Sequence, residues 1–234
     1  MSDSELFREV HEEVRKERYQ QLARRLAPLI IGVVLAIALA VGGWFGWQAW
    51  QDAKAEDDAR AYVAAVGQLR EGKAAEAADA LAILASEASG GYRALALLQR
   101  AAALEDEGYD AAAIESYRQL AADGEAHPDL RAVARLRAAL LAIGNGEALP
   151  AIRDDLGPLT GTGNPYRDLA AEVEAAALLQ SGDRDGAVAA YRALSGDTAA
   201  RPGVRQRAGE VLQALGQAAP AAGGAGAGEA QSGD

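Results

Sequence analysis

Apolar and polar positions along this chain fall into three patterns. In residues 4–25, Leu6, Val10, Val14 and Leu22 lie near one face of a 3.6-residue period and charges fill the rest, which predicts an amphipathic helix. Ser2 with Glu5 resembles a capping box at its start. From Leu26 to Gln51 there are 26 consecutive residues without a charge. Ala27–Trp47 alone spans about 31 Å as a helix at ~1.5 Å per residue, enough to cross a hydrocarbon core of about 30 Å. In hydrocarbon a helix is the single-segment way to satisfy every backbone N–H and C=O. The run predicts a membrane-spanning helix over 26–50, with Pro28 in its first turn. Past residue 51 apolar positions return to a broken, Ala-rich helical periodicity.

The flanks of the apolar run are unlike. Trp44, Trp47 and Trp50, the chain's three tryptophans, stand at one end with Phe45 among them, as a headgroup-level aromatic belt does. Arg24 and Arg25 close the other end, preceded by Arg8, Arg15, Lys16 and Arg18. The twenty residues after the run hold only Lys54, Arg60 and Arg70. That Lys/Arg bias puts the N-terminus in the cytoplasm and the rest outside the inner membrane, a single-pass topology with a periplasmic C-terminal domain. A cleaved signal peptide is the competing reading, since Ala38-Leu39-Ala40 fits a small-residue cleavage pattern. The long region before the run and the bulky aromatics after that site speak against it. With no cysteine in the chain, a lipid-anchored lipoprotein and disulfides are both excluded.

A period organises the remainder. Gly72, Gly108, Gly146 and Gly182 are separated by 36, 38 and 36 residues. Five residues on lie Ala77, Ala113, Ala151 and Ala187; six on, Ala78, Ile114, Ile152 and Val188; nine on, Leu81, Tyr117, Asp155 and Tyr191; twelve on, Leu84, Leu120, Pro158 and Leu194. Seven before lie Ala65, Ala101, Ala139 and Ala175. Each unit reads as helix, Gly turn, helix, with Ala where the two helices cross closely and Tyr, Ile or Leu filling the space to the next unit. The third copy departs at two positions, which predicts a short or distorted second helix. Starts are expected at His127-Pro128-Asp129, at Asn164-Pro165 and at Pro202, and a loop over 157–164. Gly90-Gly91 is expected to separate two units. Gln51–Val66 holds neither Gly nor Pro, so the membrane helix is expected to run into the first helix of the repeats as a stiff stalk. This resembles tetratricopeptide architecture, whose period is about 34 residues. The predicted fold is all-α: a single N-terminal transmembrane helix followed by a tetratricopeptide-like stack of helical hairpins. The domains expected are a cytoplasmic amphipathic segment, 1–25; the transmembrane helix, 26–50; the periplasmic repeat domain, 51–216; and a disordered Ala/Gly-rich tail, 217–234.

Charge and chemistry narrow the function. Residues 52–216 carry 17 basic and 26 acidic side chains, a net of −9, which gives nucleic acid no electrostatic footprint and keeps the domain off anionic lipid. His11 and His127, the only histidines, are predicted on opposite sides of the membrane, so no metal site forms from them. His127 reads as a helix start. Asp154-Asp155 is the one pair that resembles paired carboxylates, but adjacent helical positions point apart, so it reads as a solvated helix end. Arg131, Arg135 and Arg137 form a local basic cluster, available to an acidic partner or to ordinary surface pairing. The glycine-rich GGAGAG at 223–228 follows no strand and opens no helix, so it is not a phosphate loop. The expectation is no enzyme, no cofactor, no metal and no small-molecule substrate; the residues singled out are the membrane-interface anchors Arg24, Arg25, Trp44, Trp47 and Trp50 and the repeat turns Gly72, Gly108, Gly146 and Gly182.

Over about residues 5–215 the chain resembles the YfgM-like family of bacterial inner-membrane proteins, ancillary subunits of the SecYEG translocon. The resemblance lies in the single span with its GGWFGWQAW exit, in Tyr92-Arg93-Ala94-Leu95-Ala96 followed by Leu98 and Ala101, and in Leu130–Leu141 with Ala132, Val133, Leu136 and Arg137. Ala176, Leu178 and Leu179 with Gly182-Asp183 and Gly186-Ala187 add to it. It implies a periplasmic adaptor that associates with SecYEG and with a membrane-anchored periplasmic chaperone, passing translocated polypeptides to periplasmic chaperones. The alternative is a tetratricopeptide-like scaffold for cell-envelope assembly unrelated to the translocon.

Overall fold

The computed structural model describes residues 3–216, with side chains from residue 35 onward. Ser2 of the capping box and the 217–234 tail lie outside the described residues, and the side chains that form the amphipathic face of 4–25, the anchors Arg24 and Arg25 and the start of the expected span are not described. The chain divides into two compact units, Met1–Asp57 and Asp58–Asp234. The first consists of helix α1, Asp3–Arg70, up to residue 57. Its apolar side chains from Leu35 through Val41, Trp44, Phe45, Trp47 and Trp50 are all exposed. Among the described residues no helix is long and apolar enough to cross a membrane; the expected span begins in the part of α1 whose side chains are not described.

The second unit takes the end of α1 from Asp58 and pairs it with α2, Ala74–Glu87. Three further pairs follow: α3, Gly90–Asp106, with α4, Asp110–Ala122; α5, Pro128–Gly144, with α6, Leu149–Leu156; and α7, Arg167–Gln180, with α8, Arg184–Gly196. Helix α9, Pro202–Ala214, ends the described chain, and no strand occurs among the described residues. Each turn is made the same way. Gly72, Gly108, Gly146 and Gly182 hold φ of 77, 79, 74 and 88°, a left-handed conformation that costs other residues more. The next residue's N–H then reaches back five residues: Lys73 to Gln68 O, Tyr109 to Leu104 O, Glu147 to Ala142 O and Asp183 to Leu178 O, all at 2.8–2.9 Å. This is the Schellman closure of a helix C-terminus. Gly216, which follows α9, adopts the same conformation at φ 74°.

Small residues set the helix spacing. Ala65, Ala101, Ala139 and Ala175 are buried before the turns, as are Ala77, Ala113 and Ala187 after them. The third unit differs as its sequence predicts. Its second helix has eight residues and gives way to a 3₁₀ turn, Gly157–Leu159, where the expected loop begins. Ala151 is correspondingly only half-buried, while Ile152 keeps its core place. His127 caps α5, its Nδ1 accepting from Asp129 N at 3.3 Å, with Pro128 in the first turn. Asn164 Oδ1 accepts from Tyr166 N, and α7 starts at Arg167, later than Asn164-Pro165 suggests. Gly90-Gly91 opens α3 rather than standing outside it.

Candidate partner-binding surfaces

The repeat brings equivalent positions to equivalent seams, and their side chains decide which seams close. Nine residues after the second turn, Tyr117 is buried and donates its hydroxyl to Glu105 Oε2 at 3.0 Å. Arg137 Nη1 lies 3.5 Å from Glu105 Oε1, completing a chain across α3, α4 and α5. Burial first, and the Glu105 hydrogen bond and charge next, push the Tyr117 phenol well above its usual range.

At the same place in the third unit stands Asp155, 7% exposed. It accepts from Arg118 Nε and Nη2, the shortest contact 2.7 Å, while Glu147 accepts from Nη1 and Nη2 of the same guanidinium, down to 2.8 Å. The hydrogen bonds to Asp155 and then Glu147 raise the Arg118 pKa further, against the desolvation that lowers it. The sequence reading of Asp154-Asp155 as a solvated helix end is therefore corrected: Asp154 is exposed, but Asp155 is buried and committed to an ion-pair network joining the second unit to the third. A carboxylate can occupy a core position because a guanidinium from the neighbouring hairpin neutralises it there.

In the fourth unit Tyr191 takes this position, 4% exposed, and its hydroxyl has no hydrogen bond among the described residues. Burial, then the charge of Glu172, raises its pKa. The residue that corresponds to Glu105 is Leu179, so the acceptor is missing; Arg207, which corresponds to Arg137, pairs bidentately with Glu172 instead, at 2.6 and 2.7 Å. The seam is left as a groove of about 380 Å³ lined by Leu136, Leu140, Leu169, Val173, Tyr191 and Arg207. Leu140 is 48% exposed at its edge.

A larger groove of about 570 Å³ lies between α2, α3 and α4 and is lined by Ala85, Arg93, Leu97, Arg100, Ala122 and Asp123 among others. A third, about 310 Å³, runs along α7 and α8 past Arg167, Glu174 and Asp197. These two are copies: 167 − 93, 197 − 123 and 182 − 108 all equal 74.

Trp44, Trp47 and Trp50 are exposed on α1, the rings of Trp44 and Trp47 edge-on at 6.3 Å. The basic cluster does not converge. Arg135 donates to Ala121 O, Arg137 faces Glu105, and Arg131 keeps a buried Nε without a partner. Among the described residues no group of His, Cys, Asp or Glu is placed to hold a metal ion. Arg100 and Asp123 were not singled out from sequence, and Tyr191 and Arg93 were named there as a repeat position and within a family-like stretch, not as groove residues. The 74-residue recurrence of Arg and Asp was the signal that would have found the first groove.

A family model described as a tetratricopeptide repeat-like domain matches residues 24–213. No curated protein and no solved structure matches the chain. Domains of this family are generally non-catalytic protein-interaction scaffolds, and hairpins turning on recurrent left-handed glycines, with grooves opening at their seams, are the form such a scaffold takes. The chain belongs to the tetratricopeptide repeat-like domain family.

Proposed function

We propose that this protein is an inner-membrane-anchored periplasmic adaptor that works beside the Sec translocon and helps pass translocated polypeptides to periplasmic chaperones. The observation that carries the anchor is the exposed apolar stretch of α1: Leu35, Ile37, Leu39, Val41 and the Trp44–Trp50 aromatics all face outward. A helix apolar on every side needs an apolar surrounding, and water does not supply one. The uncharged run of 26 residues and the Arg24-Arg25 flank support the same reading, with the N-terminus cytoplasmic. The resemblance to the YfgM-like family supports the translocon as neighbour and a membrane-anchored chaperone as partner. Anchoring confines adaptor and channel to one plane and raises their effective concentration, so weak, releasable contacts suffice.

Crosslinking of the full chain in bacterial inner membranes tests this. Translocon subunits and a periplasmic chaperone are the expected partners. Recovery of wall or outer-membrane components instead would select the envelope-assembly scaffold. Protease added to osmotically opened cells should digest the chain beyond about residue 52 and spare 1–25; the opposite pattern would overturn the topology.

A further inference from the structure

The groove over α3 carries charge that the equivalent groove in the fourth unit pairs off. At the equivalent groove in the fourth unit, Arg167 Nη2 meets Asp197 Oδ2 at 2.9 Å, and Glu174 accepts from Arg153 Nε at 2.8 Å. In the second unit the position of Glu174 is Arg100, and the pairing loosens. Arg93 Nε lies 3.6 Å from Asp123 Oδ2, too far for a hydrogen bond, and that oxygen has no hydrogen-bond partner although it is buried. Arg100 Nη1 donates only to Ser116 Oγ, at 2.7 Å, a hydroxyl that itself donates to Ala112 O. Arg100 Nε is buried and without a partner. Two guanidiniums and one carboxylate leave the groove one positive charge in excess, on a domain whose net charge is −9.

We infer that this groove is a docking site for an aspartate or glutamate side chain of a partner polypeptide. The Nε edge of a guanidinium is the side that takes a carboxylate in a fork, and Arg is suited to it where Lys is not. A single negative charge balances the excess; a phosphate dianion would face Asp123 with charge to spare. Ala85, Leu97 and Ala122 provide apolar walls that exclude water around the ion pair and strengthen it. The inference rests on the scaffold reading that the family match gives, and not on the membrane or translocon reading.

The test uses the full chain in detergent micelles and two capped alanine pentapeptides that differ only in a central glutamate or glutamine. The glutamate peptide should bind with Kd of about 1 mM and shift the Arg100 Nε–H resonance, with the glutamine peptide at least about tenfold weaker. Arg100→Gln should weaken the glutamate peptide about tenfold, and Arg100→Lys should weaken it severalfold because the charge stays and the fork is lost. Arg167→Gln, already paired elsewhere, should leave binding unchanged. If Arg100→Gln does not fold, Arg100→Lys alone decides. Equal binding of the two peptides, no shift of the Arg100 resonance up to about 10 mM peptide, or unchanged binding by the Arg100 variants would overturn the inference. Displacement of the glutamate peptide by inorganic phosphate at lower concentration than by acetate would overturn the choice of a carboxylate.

Discussion

The seam between the second and third units and the seam around the fourth are built on one repeat position and come out opposite. In the former, Tyr117 has its acceptor in Glu105, and Asp155 has its guanidinium in Arg118. In the latter, Leu179 replaces the acceptor, and Tyr191 lines an open groove. The hairpin frame tolerates either outcome because the Schellman turns and the buried alanines fix it independently of what fills the seam. Closing a seam with polar partners adds stability and specificity; leaving it apolar and open creates surface that a partner can cover.

Breaking the closed seam at its charged centre should have the largest effect. Arg118→Ala leaves Asp155 buried without its cation and brings it beside Glu147, at a cost of about 3 kcal/mol. Denaturant unfolding monitored by helix content measures it. Replacing both partners, Arg118→Met with Asp155→Leu, should recover most of the loss, since two apolar groups of similar volume need no pairing. A double variant as unstable as the single one would show that the network does more than neutralise its own members.

The helix crossings come next. Ala113→Leu places a branched side chain at a fully buried contact and should destabilise by about 1–3 kcal/mol. The same change at Ala151, half-buried beside the shortened α6, should cost well under half as much. Equal melting temperatures for the two variants would mean that the third unit is packed as tightly as its neighbours.

The hairpins, their turn glycines and the short α6 were legible in sequence because they follow from local rules: a left-handed turn favours Gly, a close crossing requires Ala, and Pro158 cannot continue a helix. The expected start at Asn164-Pro165 was two residues early because Asn164 first closes its own turn onto Tyr166. The seams were not legible. Whether Asp155 is solvated or buried depends on Arg118, 37 positions away, and on which way α4 presents it. Whether Tyr191 has an acceptor depends on Leu179, which is unremarkable alone and informative only when aligned with Glu105. Arg93 and Arg100 gain their meaning only when the fold sets them in one groove with a single carboxylate.

The smallest expected effect is also the sharpest comparison. Tyr117→Phe and Tyr191→Phe remove one hydroxyl each from equivalent positions. At 117 the loss leaves Glu105 short of a donor and should cost about 1 kcal/mol. At 191 no hydrogen bond is lost, and stability should stay within a few tenths of a kcal/mol, with the groove marginally more apolar. Alkaline pH separates the two further. Both phenols have raised pKa values in the folded state, so each contribution is complete below the ordinary value near 10 and is lost as pH rises above it, because the unfolded chain gives up its proton first. Tyr117, held up by burial and by Glu105, should account for the greater share of the alkaline loss, so Tyr117→Phe should flatten the fall in stability between about pH 10 and 11 more than Tyr191→Phe does. Identical alkaline profiles for the two variants would mean that the Tyr191 hydroxyl has found an acceptor in solution and that the seam around the fourth unit is closed as well.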